Sequence, residues 1–381
     1  MNGETKPTER LFCLDLLRGL DMFYLACVSA VLVPLLKALG AGPAWSHFFV
    51  MHDWYGFTLY DLIMPLFIFM CGAAVPFALG RRLDGQGRPG PGYWRHVLSR
   101  FVLLWGLGML VQGNLATLDI HKVGLYSNTL QTIAIGYVAA AAVYPLKSRM
   151  VKIAIPVALC VAYALIVHFG GDYTKDGNVS QRFDLAVWGA ILPTDNAAVA
   201  RIRSGGYSWL LPSLMFPVIA LAGSFSTEIL RAKIGAWRRA AVLSGLGSGV
   251  LVLGLVLEFM GVCCVKHIFT VSFTLQAIGW SILSLAFLYV LTDIWMFRRG
   301  MGLLILFGQY ALTAYLCKSV FGAACSAVAK RMFSGLNGYF DSEWAAVASA
   351  VEFGLVVIAV VCVRRKAAGT KGRDARLAMA D

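Results

Sequence analysis

Charge is scarce in this sequence: only 14% of its 381 residues are Asp, Glu, Lys or Arg. A soluble domain carries about 25%, so a water-dissolved globule is not expected. Alternating hydrophobicity of period two is also missing, which removes a membrane β-barrel. There is no Cys-x-x-Cys pair, and the nine cysteines fall mostly inside apolar runs as small hydrophobes. A disulfide among Cys263, Cys264 and Cys325 has no support beyond their place in outward loops. No histidine has metal-ligand spacing, so no metal is expected. No small-residue cleavage site follows the first apolar run, so a cleavable signal peptide is not expected. An internal repeat is absent too, which weakens an inverted-repeat transporter.

What is abundant is apolar surface: 59% of residues are hydrophobic and the mean hydropathy is +0.72. Runs of about 20 residues recur, the length a helix needs to cross a hydrocarbon core of about 30 Å. Helices satisfy their own backbone groups in lipid. The expected fold is therefore all-α, a polytopic membrane bundle of about ten transmembrane helices. The spans fall near 11–37, 55–80, 97–115, 129–146, 151–169, 208–230, 239–260, 270–292, 301–326 and 344–363. Residues 1–366 form one transmembrane domain, with an outward polar loop at 170–207, and 367–381 form a disordered tail. With both termini cytoplasmic, 23 of the 33 Lys and Arg lie on the cytoplasmic side. The net charge of +13 thus reflects topology, and no nucleic-acid partner is expected.

Polar groups inside apolar spans are expensive in lipid and mark sites. Asp15, Arg18 and Asp21 recur at intervals of three, on one helical face, where they either pair as an anchor at the helix end or bind a ligand. Asp61 lies about two turns into the second span, and Pro65 frees its carbonyl and favours a kink. The pair reads as a buried polar site or as a structurally paired Asp at a bend. His52 sits at the outward end of that span and is either an amphipathic interface anchor or a general base. On one continuous helix, Asp61 would lie about 14 Å along the axis from His52 and on the opposite face. Gly56 permits a helix start between them. Gln112, Asn114, Asn128, Gln131, Lys266, His267 and Ser272 all approach the outward side from span ends. Singly they read as caps or anchors; together they suit a hydroxyl-rich ligand such as a sugar. The long loop at 170–207 reads as a lid or binding loop.

Arg10-Leu, Leu14-Asp15-Leu-Leu-Arg18-Gly19 and Trp54-x-Gly56-Phe-Thr58-x-x-Asp61-Leu-Ile-x-Pro65-x-Phe-x-Phe-x-x-Gly72 together resemble the signature of the heparan-α-glucosaminide N-acetyltransferase family and its bacterial relatives. Ser127-Asn128-Thr129-Leu130-Gln131, Pro212-Ser213-Leu214, Lys266-x-x-x-Thr270-x-Ser272-Phe273 and Phe307-Gly308-Gln309-Tyr310-Ala311-Leu312 resemble further family segments. The resemblance implies a multi-pass enzyme of a bacterial inner membrane. It implies transfer of an acetyl group from cytoplasmic acetyl-CoA to an amino sugar or glycan on the far side. The resemblance implies a catalytic histidine before the second span, as base or acyl carrier, and His52 is its match. Asp61 is the second candidate catalytic residue, and Trp54, Asn114, Asn128, Gln131, Lys266 and Ser272 are the candidate acceptor-binding ones. Arg18 and Arg100, with Arg81 and Arg82, are candidates for the CoA phosphates. Two departures stand out. The family spacing is His-x-x-Trp, so Met51 falls at the aligned place and His52 fits only on a flexible or bulged stretch. A family Asn late in the first span is replaced by Ser29 or lost. The other classes are a secondary transporter for a small polar solute and a family member with a structural or binding role. The oligomeric state is left open, a homodimer included.

Overall fold

The computed structural model describes residues 11–28, 31–32, 35–36, 39–40, 49, 53–332, 347, 350–351 and 354–363. His52, Met51, Ser29 and the tail 367–381 lie outside the described residues, as do both termini. Every regular element among the described residues is helical. In chain order these are α1 (Phe12–Phe23), α2 (Ile63–Ala78), α3 (Pro91–Val111) and α4 (Thr129–Val143). Then come α5 (Arg149–Gly170), α6 (Val179–Ile191), α7 (Ala197–Arg203), α8 (Met215–Leu230) and α9 (Ala236–Phe259). The last are α10 (Val271–Tyr289), α11 (Gly302–Gln309), α12 (Ala311–Met332) and α13 (Gly354–Val363).

Five stretches are long and apolar enough to cross a bilayer: Leu59–Arg82, Arg149–Gly170, Leu211–Leu230, Ala236–Phe259 and Val271–Ile294. A sixth results if α11 and α12 count as one span, although they meet at 78°. The single straight span expected over 301–326 is thus replaced by two helices bent at 78°, the geometry of a broken span or of a re-entrant loop. Only 11% of the α5 window and 22% of the α9 window are buried, against 78% for the stretch containing α2. Val157, Val161 and Leu165 of α5 and Val252, Leu253 and Val256 of α9 face outward. Such apolar outer faces suit lipid, and the chain reads as a membrane protein with α2 at its centre.

Two local expectations change. Residues 53–58 are not helical; a 3₁₀ turn at Leu59–Leu62 leads into α2. Pro65 therefore falls in the first turn of α2, where a missing N–H breaks no bond, and it marks the helix start and not a kink. The polar stretch 170–207 is also no open loop. Asn178 and Asn196 cap the N-termini of α6 and α7 with their side-chain oxygens, which turns that segment into two packed helices.

The bundle is tied by close backbone crossings. A Cβ placed on Gly19 of α1 would overlap the Leu304 carbonyl of α11, and one on Gly308 would overlap the Asp15 carbonyl. Thr227 of α8 donates to the Ala73 carbonyl of α2 at 2.9 Å, fully buried. The alternating helices separate two ends. One gathers residues 53–58, 112–128, 171–210 and 260–270, joined by bonds such as Asn196 Nδ2 to the Ile120 carbonyl at 2.6 Å. The other is rich in Arg and Lys and includes Arg231, whose guanidinium donates to the Pro76 carbonyl at 3.0 Å.

Candidate functional site

Asp61 organises the first end. Its place in the 3₁₀ turn lets Oδ2 accept the Thr58 N–H and the Thr58 hydroxyl, each at 2.9 Å. Oδ1 is left to the Lys266 ammonium at 3.0 Å, and the two side chains are 0% and 5% exposed. The Lys266 ammonium also lies 5.3 Å over the Tyr60 ring. Lys266 sits in the 260–270 loop outside the spans. Burial lowers its pKa from the ordinary lysine value, and the Asp61 carboxylate opposes that fall.

The loop is clamped against residues 53–58. Gly56 N–H donates to the Cys264 carbonyl at 2.9 Å, and Tyr55 pairs with Val265 as an antiparallel bridge. Gly56 has φ 111°, a backbone region glycine alone enters readily. Ser272 closes the loop by donating to the Cys263 carbonyl at 3.0 Å, so its role is to hold Lys266 in place. Trp54 is buried, donates Nε1–H to the Tyr173 carbonyl at 2.7 Å, and stacks on His267 with centroids 5.1 Å apart. Tyr207 meets the same imidazole at 4.7 Å. Burial, then the neighbouring Lys266, lowers His267 to about 4, so its ring is neutral at pH 7. Its Nδ1 is buried with no hydrogen-bond partner.

Two chambers open beside this clamp. The inner one, ≈330 Å³, is bounded by Tyr60, Phe67, Asn128, Lys266, Tyr315 and Lys318. The outer one, ≈310 Å³, is bounded by Asn114, Lys122, Trp188 and Arg201 among others. Gln112, Ser127, Tyr207 and Trp209 line both. Trp209 is fixed by Asp184 of α6, whose two oxygens accept the Trp209 and Leu210 N–H groups at 2.6 and 3.1 Å. Burial pushes Asp184 up to about 6, with those two donors pulling the other way.

The residues expected at the site thus separate. Asp61, Lys266, Trp54 and Ser272 come together in the clamp. Asn114 and Asn128 border the chambers, but Asn128 also caps α4, accepting from Leu130 and Gln131 N–H at 3.1 and 3.2 Å. Gln131 accepts from Asn128 Nδ2 at 2.8 Å and donates to the Leu125 carbonyl at 2.6 Å, so it serves the cap and borders neither chamber. Arg18 and Arg100 lie toward the basic end, both in electrostatic range of Cys71 on α2. Arg100 stacks 4.7 Å over Tyr137, and Arg18 is 3.9 Å from Asp15. Sequence reasoning missed Tyr207, Trp209 and Asp184, because nothing in a polar loop says that it folds back onto the bundle. It also passed over Lys318, although a charge in an apolar run is a usable signal.

Compared with models of protein families and with curated proteins, the chain finds no match.

Proposed function

We propose that the chain is a membrane acyltransferase that moves an acetyl group from cytoplasmic acetyl-CoA to an amino sugar or glycan on the opposite side. The carrying observation is the polar inner chamber, set among helices of membrane length and bordered by the Asp61-anchored Lys266 ammonium, at the end remote from Arg18 and Arg100. In the proposed topology α1, α3, α4 and α13 also cross, giving ten spans with both termini and the basic end in the cytoplasm of a bacterial inner membrane. That end attracts the CoA phosphates. A thioester is already activated, so the site needs a base for the amine, positioning and exclusion of water. His52, two residues before Trp54, is the base. The amine adds to the thioester carbonyl and its proton passes to His52; the C–S bond then breaks, and His52 returns the proton to the sulfur so that CoA leaves as the thiol. Lys266 donates to the acceptor or to the developing oxyanion, and Asp61 holds it there.

The test is CoA release by purified protein given acetyl-CoA and glucosamine, for the wild type and His52→Ala. Turnover lost in the variant is the expected result. Equal turnover removes His52 from the reaction, and failure to bind acetyl-CoA rejects the reading. The bend between α11 and α12 favours a second reading, because broken helices at membrane depth are a transporter feature. Glucosamine uptake into proteoliposomes without CoA decides for transport.

A further inference from the structure

The two chambers are lined by four cationic side chains, Lys122, Arg201, Lys266 and Lys318, and by no carboxylate among the described residues. Two of these cations are answered. Lys122 is 3.0 Å from Asp119, and Lys266 is 3.0 Å from Asp61. No described carboxylate forms an ion pair with Lys318 or Arg201. Lys318 is the more telling, because it projects from α12, within the apolar stretch Ala311–Val320 of the bent pair. A lysine at membrane depth with no counter-ion among the described residues is costly, and such residues mark ligand paths. Its surroundings suit a polyhydroxylated ligand: the polar side chains of Gln112, Thr129, Tyr315 and Ser319 line the same chamber. Tyr207 and Trp209 supply aromatic faces on the shared wall. The volume of ≈330 Å³ lies at the small end of ligand pockets, about 300–1,000 Å³, and suits one substituted sugar ring.

We propose that the inner chamber takes an amino sugar bearing an acidic substituent, a carboxylate or a phosphate ester, with the anionic group seated on Lys318. This rests on the acyltransferase reading for the amino-sugar part; the acidic part rests on the charge of the chamber alone. Lys318 is a binding residue and takes no part in bond making.

Titration calorimetry on the detergent-solubilised full chain tests it, with glucosamine, glucosamine 6-phosphate, muramic acid and inorganic phosphate as probes. The acidic amino sugars should bind about tenfold or more tightly than glucosamine, the scale of one charge-assisted hydrogen bond. Lys318→Ala should erase that preference, and Lys318→Arg should keep most of it. Lys318→Gln repeats the test if the alanine variant does not purify as a folded species. An unchanged preference in the folded alanine or glutamine variant overturns the proposal, as does equal binding of glucosamine and its acidic relatives to the wild type. Inorganic phosphate binding as tightly as glucosamine 6-phosphate reduces the site to a simple anion hole and also overturns it. CoA release with the same sugars separates the two readings. Acetylation with no acidic preference rejects the Lys318 site and leaves the transferase. A Lys318-dependent preference with no acetylation does the reverse.

Discussion

Asp61 and Lys266 are 205 residues apart in the chain and 3.0 Å apart in space, both shut away from solvent. Removing one partner strands the other as a buried ion. Asp61→Ala should lose about 3–5 kcal/mol of stability, whereas Asp61→Asn with Lys266→Met, which removes both charges, should recover much of it. Detergent-phase unfolding of the single and double variants reads this as a coupling energy. Additive losses would mean that the two side chains do not hold each other.

The imidazole of His267 gives the fold a pH dependence of definite sign. Its folded pKa of about 4 lies below the unfolded value of about 6.5, so the unfolded chain binds the proton first. Stability is therefore full above pH 6.5 and falls as the pH drops toward 4, by up to about 3 kcal/mol. His267→Phe should flatten that slope in a melting series across the window.

Asp184 works in the opposite sense. Its folded pKa of about 6 lies above the unfolded value of about 3.9, so its charge weighs against folding at neutral pH and is relieved as the pH falls between those values. Asp184→Asn removes this contribution. It also turns one acceptor toward a backbone N–H as a donor, for a net loss of about 1–3 kcal/mol at pH 5. Tryptophan fluorescence of Trp209 should shift in the variant, since its backbone anchor is lost.

Trp54 holds the 171–178 segment through its bond to Tyr173, with the Lys175 ammonium 5.9 Å over its ring. Trp54→Phe keeps an aromatic face and loses one hydrogen bond, about 1 kcal/mol. Trp54→Ala loses the ring as well, about 3–5 kcal/mol. Limited trypsin digestion should cut after Lys175 faster in the alanine variant than in the phenylalanine one.

Gly19→Ala and Gly308→Ala each drive a methyl into a backbone carbonyl of the crossing helix. Either should prevent α1 and α11 from closing, seen as loss of the monodisperse peak in size-exclusion chromatography. Neither glycine faces a chamber, so a folded variant with normal stability would show that the helices separate without consequence.

The helical, lipid-facing character was legible because run length and hydropathy are local properties. Asp61 and Lys266 were legible too, since charge among apolar residues is expensive wherever it lies. Their partnership was not, because two residues 205 positions apart carry no local mark of meeting. The same holds for Gly19 and Gly308, each in a separate motif, which the structure brings together. Asn128 and Gln131 show the opposite limit. Residues chosen as ligand contacts spend their polar atoms on capping α4, a use that the Asn-x-x-Gln spacing already announces. The break between Gln309 and Ala311 escaped notice because no proline or charge marks it.

Tyr207 and Trp209 form the partition between the chambers. A ligand that displaces either ring from one side changes the wall that the other side presents. Reciprocity then requires that the factor by which such a ligand alters affinity in the other room equals the factor in the reverse direction.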